Sequence, residues 1–232
     1  MISVSPTELH SLLKERNINC LYFSCSVRNA CSMINTDSFL SLRQLAYKEL
    51  PMSDVTNAAI YKQASLWNKR QFHLCNLHEY FPRQNKLGPV CFRVSIDFLL
   101  DVHPRDLYIT KRNPLHWRKG LHPTDICYSS VQEFSEVFEA LFDKRLLHKN
   151  IILVRDKRSE IKLSDYLLEI ILDKPGDKFL LWRKSTNALK ESLNNEKFSK
   201  ITFKTSPCKK QCHCAENYND MASTELENLF RP

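Results

Sequence analysis

Cys20 to Leu45 reads CLYFSCSVRNACSMINTDSFLSLRQL, and the reading of this stretch decides the fold. Cys20–Phe23 is a short apolar strand that runs directly into the small polar residues Ser24, Cys25 and Ser26. A helical turn is predicted from about Asn29 to Ile34, then a second apolar patch, Phe39–Leu45, carrying Arg43. A strand end that opens onto a helix N-terminus presents unsatisfied N–H groups and a partial positive charge. That setting suits an anion such as a pyrophosphate.

Upstream, Ser5-Pro6-Thr7-Glu8 is a helix start: Ser5 caps, Pro6 takes the first helical position, and Glu8 closes a capping box. Leu9, Leu12 and Leu13 carry that helix to about Arg16. Downstream, Asp54–Phe72 reads as mostly helical and is broken by Leu77–Pro82. Val90–Val94 and Asp106–Thr110 are strand candidates, with Ile96–Leu100 leading into a helix or turn. Ser130-Val131-Gln132-Glu133 opens a helix with Phe134, Val137, Phe138, Leu141 and Phe142 at helical spacing, ending near His148. Asn150–Arg155 and Tyr166–Leu172 read as buried strands and Phe179–Trp182 as a further one, with Ser185 capping a polar helix to about Phe198. The last 25 residues lose apolar periodicity, so the expected division is a main domain over 1–205 and a Cys-rich extension over 206–232.

Composition narrows the function. The 232-residue chain is 43% hydrophobic and 26% charged, which suits a folded domain rather than a disordered one. A net charge of +8 favours an acidic partner, nucleic acid first. The N-terminus lacks an apolar signal core and the longest apolar runs are too short to span a bilayer, so no membrane partner and a cytoplasmic location are expected. Nine cysteines, an odd count, fit reduced thiols in that compartment. Only three glycines, Gly88, Gly120 and Gly176, are present, far apart. Neither a P-loop nor a G-x-G-x-x-G fingerprint can be written with them, so a nucleotide would need another architecture.

Four pieces in a fixed order resemble one family. Leu21-Tyr22, then Asn29-x-x-Ser32 and Leu40-Ser41-x-Arg43, form the first; LHEYFPRQNKLGPVCF, DLYITKRNP and YLLEIIL follow. In this order they resemble the DarT-type NAD-dependent ADP-ribosyltransferase toxins. The resemblance implies an α+β fold, an ADP-ribosyltransferase-like split mixed β-sheet with surrounding helices that needs no glycine-rich turn. It implies NAD as substrate, a nucleic acid acceptor (RNA or single-stranded DNA), a toxin or phage-defence role, and a cognate antitoxin. It places Glu169 as the catalytic glutamate, with Arg70 and Arg43 as the candidate arginines. NAD contacts fall on Tyr22, Ser24, Cys25, Ser26, Asn29 and Tyr80. Family members commonly carry His and Thr after the opening tyrosine; Phe23 and Cys25 stand there instead.

The chemistry agrees with that role. Cleaving a nicotinamide–ribose bond builds positive charge on the ribose, and a carboxylate in an apolar setting stabilises it and accepts a proton from the nucleophile. Glu169 lies among Tyr166, Leu167, Leu168, Ile170, Ile171 and Leu172, so it must be paired, exposed at an edge, or functional. For the acceptor, Lys111, Arg112, His116, Trp117, Arg118 and Lys119 combine cations for phosphate with a ring for base stacking; the alternative is a solvated loop with Trp117 in the core. A slight lean to RNA rests on the charge and on this and the Trp67–His73 cluster. Cys208, Cys212 and Cys214 are a possible zinc site, against which stands the account of reduced tail cysteines. Two rival functions remain: a Mg²⁺-dependent nuclease built on Asp156, Glu160 and Lys162, and a non-catalytic nucleic-acid-binding protein.

Overall fold

The computed structural model describes residues 1–54, 65–76, 87–114, 117, 121–140, 150–205 and 218–232. Seven strands form one sheet: β1 Cys20–Cys25, β2 Lys69–His73, β3 Val90–Ser95, β4 Leu107–Ile109, β5 Ile151–Arg155, β6 Leu167–Leu172 and β7 Thr202–Thr205. Their order is β4-β5-β2-β1-β3-β6-β7. Neighbours run antiparallel except β6 and β7, which are parallel, so the sheet is mixed as expected. The described helices are α1 Pro6–Glu15, α2 Val27–Asn35, α3 Leu42–Tyr47, α4 Pro123–Ile126, α5 Val131–Ala140, α6 Leu163–Tyr166, α7 Phe179–Ser192 and α8 Ser223–Phe230. None is long and apolar enough to cross a membrane.

Short-range chemistry sets the helix starts. Ser5 Oγ accepts from the Glu8 N–H at 3.3 Å and opens α1, whose Leu9, Leu12 and Leu13 are buried. Ser26 Oγ caps α2 through the Asn29 N–H, and Ser41 with Gln44 forms a complete capping box on α3. Ser130 Oγ caps α5 through the Glu133 N–H at 3.1 Å, while the Glu133 carboxylate reaches back to Ser129.

One face of the sheet carries the core. Phe23, Phe72 and Phe92 sit on β1, β2 and β3, and Phe39 and Phe98 close over them, with ring centroids 4.6 Å apart for Phe72–Phe98 and 5.4 Å for Phe23–Phe72. Such pairs each add about 0.5–1.5 kcal/mol beyond the area they bury. The register of these rings fixes which side chains point the other way.

Two expectations are corrected. Lys69–His73, whose first four residues fall in the stretch read as helical, form β2: the chain turns at Ser65, whose φ is +55°, and KRQFH then alternates across the sheet between β1 and β5. The part of that stretch at 55–64 and the segment 77–82 lie outside the described residues. Phe179–Trp182 is helical, not a strand: it follows a turn at Gly176 (φ +58°) and begins α7. Ser185 is therefore inside that helix, donating to Leu181 O at 2.9 Å and Phe230 O at 2.6 Å. In the C-terminal residues 218–232, Tyr218, Leu226 and Phe230 are buried in the same core, and α8 packs on α2 and α7.

Candidate functional site

Strand alternation puts a row of side chains on the face opposite the phenylalanines. The register pairs His73 of β2 with Tyr22 of β1, Tyr22 with Arg93 of β3, Arg93 with Glu169 of β6, and Glu169 with Thr202 of β7. Five polar residues from five neighbouring strands thus stand side by side. At Arg93/Val94 the β3–β6 register shifts: Arg93 faces Glu169 but Val94 faces Leu167, leaving Leu168 as the extra residue, 42% exposed. A bulge of this kind re-aims its neighbours. It explains how Leu167 and Ile170 can both enter the core while Glu169 between them faces the polar side.

Glu169 is only 7% exposed, and its charge is compensated. Oε1 is paired with Lys204 Nζ of β7, and Oε2 lies 4.0 Å from Arg93 Nη1. Arg93 Nε in turn donates to Cys20 Sγ at 3.3 Å, and that sulfur is 3.6 Å from Tyr22 Oη. The thiol contact leads the influences that push the Arg93 guanidinium up from its ordinary range. Glu169, Arg93, Tyr22, Cys20 and Lys204 are one connected group.

A pocket at the end of β1 adjoins this row, lined among others by Ser24, Asn29, Ser41, Lys69 and Gln71. Ser24, Lys69 and Gln71 belong to the polar face, and Asn29 comes from the first turn of α2. Lys69 is buried, donates to Ser65 O and to Asn68 Oδ1, and lies 5.9 Å from the Tyr108 ring. Burial, and then the neighbouring charge of Arg155, pull its ammonium down to about 8. The backbone of Gly88, with φ +138°, crosses the Cys25–Ser26 peptide so closely that a Cβ there would stand 2.0 Å from Cys25 C.

The predicted NAD-contact residues separate by role. Ser24, Cys25 and Asn29 line the pocket, although the Asn29 Oδ1 also accepts from the Ser53 N–H at 3.0 Å and burial pushes the Cys25 thiol up. Ser26 is spent capping α2, and Tyr22 belongs to the Glu169 row. Tyr80 lies outside the described residues.

The two predicted arginines, Arg70 and Arg43, lie apart from the Glu169 row, each bonded within the protein. Arg70 is 1% exposed on the core side of β2, the face away from Glu169. It donates to Phe39 O at 3.2 Å, Arg155 O at 3.0 Å and Ser159 O at 2.7 Å, so its donors serve three backbone carbonyls: one in the loop before α3, one at the end of β5 and one in the turn after it. Arg43 grips Asp156 with a two-pronged fork, Nη2–Oδ1 2.7 Å and Nε–Oδ2 3.0 Å, and Ser41 Oγ adds a bond to Oδ2 at 2.6 Å. The nuclease arrangement loses its centre by the same contacts, since Asp156 has both oxygens engaged. Among the described residues no three His, Cys, Asp or Glu side chains are grouped to hold a metal.

Of the predicted acceptor patch, Lys111 is ion-paired to Glu133 at 2.5 Å, and half-buried Trp117 packs against a small buried cluster of Leu66, Tyr108, Cys127, Ile151 and Leu153. Arg112 is exposed; His116, Arg118, Lys119 and the cysteines at 208, 212 and 214 lie outside the described residues. The sequence reading did not single out Arg93, Thr202 or Lys204, and it placed His73 only at the end of the Trp67–His73 cluster. The signal for His73 was the alternation of Lys69-Arg70-Gln71-Phe72-His73, masked by the helical reading of the residues before it. Arg93 alternates with Phe92 and Val94 in VCFRVS, a polar residue within a buried strand.

No protein-family model matches the chain, and no curated protein matches it in sequence. Solved structures do. A DarT of Thermus sp. 2.9 in complex with ADP-ribosylated ssDNA aligns over 82% of this chain and 95% of its own, with a TM-score of 0.50 at 11% identity. The same protein in complex with NAD+ covers 82% and 96%, with a TM-score of 0.47 at 11% identity. The seven-stranded mixed sheet, with its helices, is the α+β fold of the DarT ADP-ribosyltransferases.

Proposed function

We propose that this chain transfers ADP-ribose from NAD, its substrate, to a base of single-stranded nucleic acid, with DNA ahead of RNA as acceptor. One observation carries the reading: Glu169, almost wholly buried and flanked by Arg93 and Lys204, on the polar face of a fold shared with a DarT in complex with ADP-ribosylated ssDNA. That complex moves the preference from RNA to DNA, and the engagement of Lys111 and Trp117 removes part of the basis for RNA. A face bearing Lys69, Arg93, Arg155 and Lys204 around a single described carboxylate of that row suits an anionic dinucleotide. The toxin role and a cognate antitoxin partner belong to the same proposal and rest on the family resemblance.

Each residue has a task in this reading. Glu169 sets its charge against the positive ribose that develops as the C1′–N bond to nicotinamide breaks and the bonding electron pair leaves with nicotinamide. As the acceptor base bonds C1′, Glu169 takes up the proton the base sheds and passes it to water. Arg93 orients the carboxylate from one side, and Tyr22 offers a ring beside it. Ser24, Asn29 and Lys69 provide donors at the far end of the dinucleotide.

The test incubates the protein with labelled NAD and separate pools of single-stranded DNA, RNA and protein. Label on single-stranded DNA supports the proposal, and label on RNA alone reverses the acceptor order. Label only on protein sinks the nucleic acid acceptor. Cleavage that needs Mg²⁺ and ignores NAD restores the nuclease, and binding without covalent change restores the non-catalytic reading.

A further inference from the structure

Glu169 faces a surplus of positive charge: one carboxylate, with Lys204 on Oε1 and Arg93 near Oε2. A carboxylate neutralised from both sides is poorly placed to stabilise a cation forming in front of it. One of the two partners must therefore yield when substrate is in place. Arg93 is tied on its other edge to Cys20 Sγ, and its rigid fork is shared between that sulfur and Glu169. Lys204 has no second described anchor. Its side chain is 61% exposed, against 43% for Arg93, and it projects from β7, the outermost strand of the sheet. A lysine ammonium is a compact point charge on a flexible stem, and the Lys204 stem is mostly in solvent, so of the two partners it is the one free to swing away from the buried carboxylate.

The acceptor needs a cation at this place. In the transferase reading Glu169 marks where the base arrives, and Lys204, beside it on the terminal strand β7, is placed to meet a backbone phosphate that carries that base. We propose that Lys204 is a positioning residue shared between two anions: it caps Glu169 while no acceptor is bound, and moves to a backbone phosphate of the incoming strand when one is. The exchange uncovers the carboxylate only when a nucleophile is present, which restrains the wasteful attack of water on NAD. The inference rests on the transferase reading above and specifies how that site meets its acceptor.

The experiment compares wild type, Lys204→Met and Lys204→Arg in the full chain. It uses labelled NAD, a single-stranded DNA oligonucleotide over a series of salt concentrations, and parallel reactions without oligonucleotide. For Lys204→Met, KM for the oligonucleotide rises roughly tenfold and the slope of log affinity against log salt shrinks by about 0.7, the share of one phosphate contact on a single strand. NAD hydrolysis without oligonucleotide rises, and Lys204→Arg recovers most of the lost affinity. On the wild-type protein, an oligonucleotide of the same bases with a neutral methylphosphonate backbone fails to displace Lys204 and is modified poorly, which tests the contact with no substitution at all. Equal loss of transfer and hydrolysis in Lys204→Met, with KM and salt slope unmoved, overturns the exchange and leaves Lys204 as a fixed prop for Glu169. A wild-type protein that consumes no NAD with any acceptor overturns the transferase reading itself, and the exchange with it.

Discussion

Glu169 faces the polar side in step with the inward Ile170, and a single extra residue beside it, Leu168, lets Leu167 enter the core as well. Without Leu168 bulged out of the β3–β6 ladder, the alternation that sends Ile170 inward would also send residue 168 inward, and Leu167 would lose its place in the core. Its charge can be tested with little disturbance: Glu169→Gln keeps size and hydrogen-bonding capacity. We expect ADP-ribosyl transfer to fall on the order of 10²–10³-fold with an unchanged melting curve, while Glu160→Gln, an exposed residue outside the row, leaves transfer intact. Lys69 makes a prediction in pH. Its folded-state value, about 8, lies below the ordinary 10.5, so between these values the unfolded chain binds more protons. Stability therefore rises with pH through that window, and the cost of the buried charge is present in full below it. Urea midpoints measured from pH 7 to pH 11 should show this rise in the wild type and a flatter profile in Lys69→Met, a difference of at most about 3 kcal/mol. Glu169 was legible because a lone carboxylate in an apolar run demands an explanation. The surroundings of Arg70 were not legible, because nothing in a sequence distinguishes an arginine whose donors serve three carbonyls from one that serves a ligand.

At the level of elements, the junction between β1 and α2 is where local chemistry and long-range packing meet. Ser26 caps the helix, and the strand before it is held by β2 and β3 on either side. Gly88, entering β3, passes against this junction at a distance only a residue without a Cβ can occupy, with a φ of +138° that disfavours any L side chain. Gly88→Ala is expected to cost on the order of 3 kcal/mol and to lower the melting temperature. The capped helices α1 and α2 and the strands β1, β3, β5 and β6 could be read from caps and apolar runs, because those signals are local. Two kinds of element could not. β2 follows a left-handed turn at Ser65 that leaves no glycine or proline as a marker, and β7 is a short, half-exposed edge strand whose identity comes from its partner β6. The start of α7, Phe179-Leu180-Leu181-Trp182, is apolar all round, so its period carried no information.

For the whole molecule, the C-terminal residues close the core rather than trail from it. Tyr218 Oη donates to the buried Asp173 at 3.0 Å, Phe230 O accepts from Ser185, and Tyr218 and Phe230 pack edge to face at 5.2 Å. A chain ending at residue 217 should lose on the order of 5 kcal/mol from the burial of Tyr218, Leu226 and Phe230, and a thermal melt would detect it. The sequence reading treated this region as an appendage because its apolar residues are sparse, and their value lies in where they land. The two faces of the sheet divide labour in a way that bears on how such a protein can be altered. Rings that set the register and the side chains of the proposed site hang from opposite sides of the same strands, so positions 73, 93, 202 and 204 can be randomised with the phenylalanine packing left alone. A library built on those four positions would explore new donors and acceptors on an unchanged frame, and selection there would sample chemistry instead of foldability.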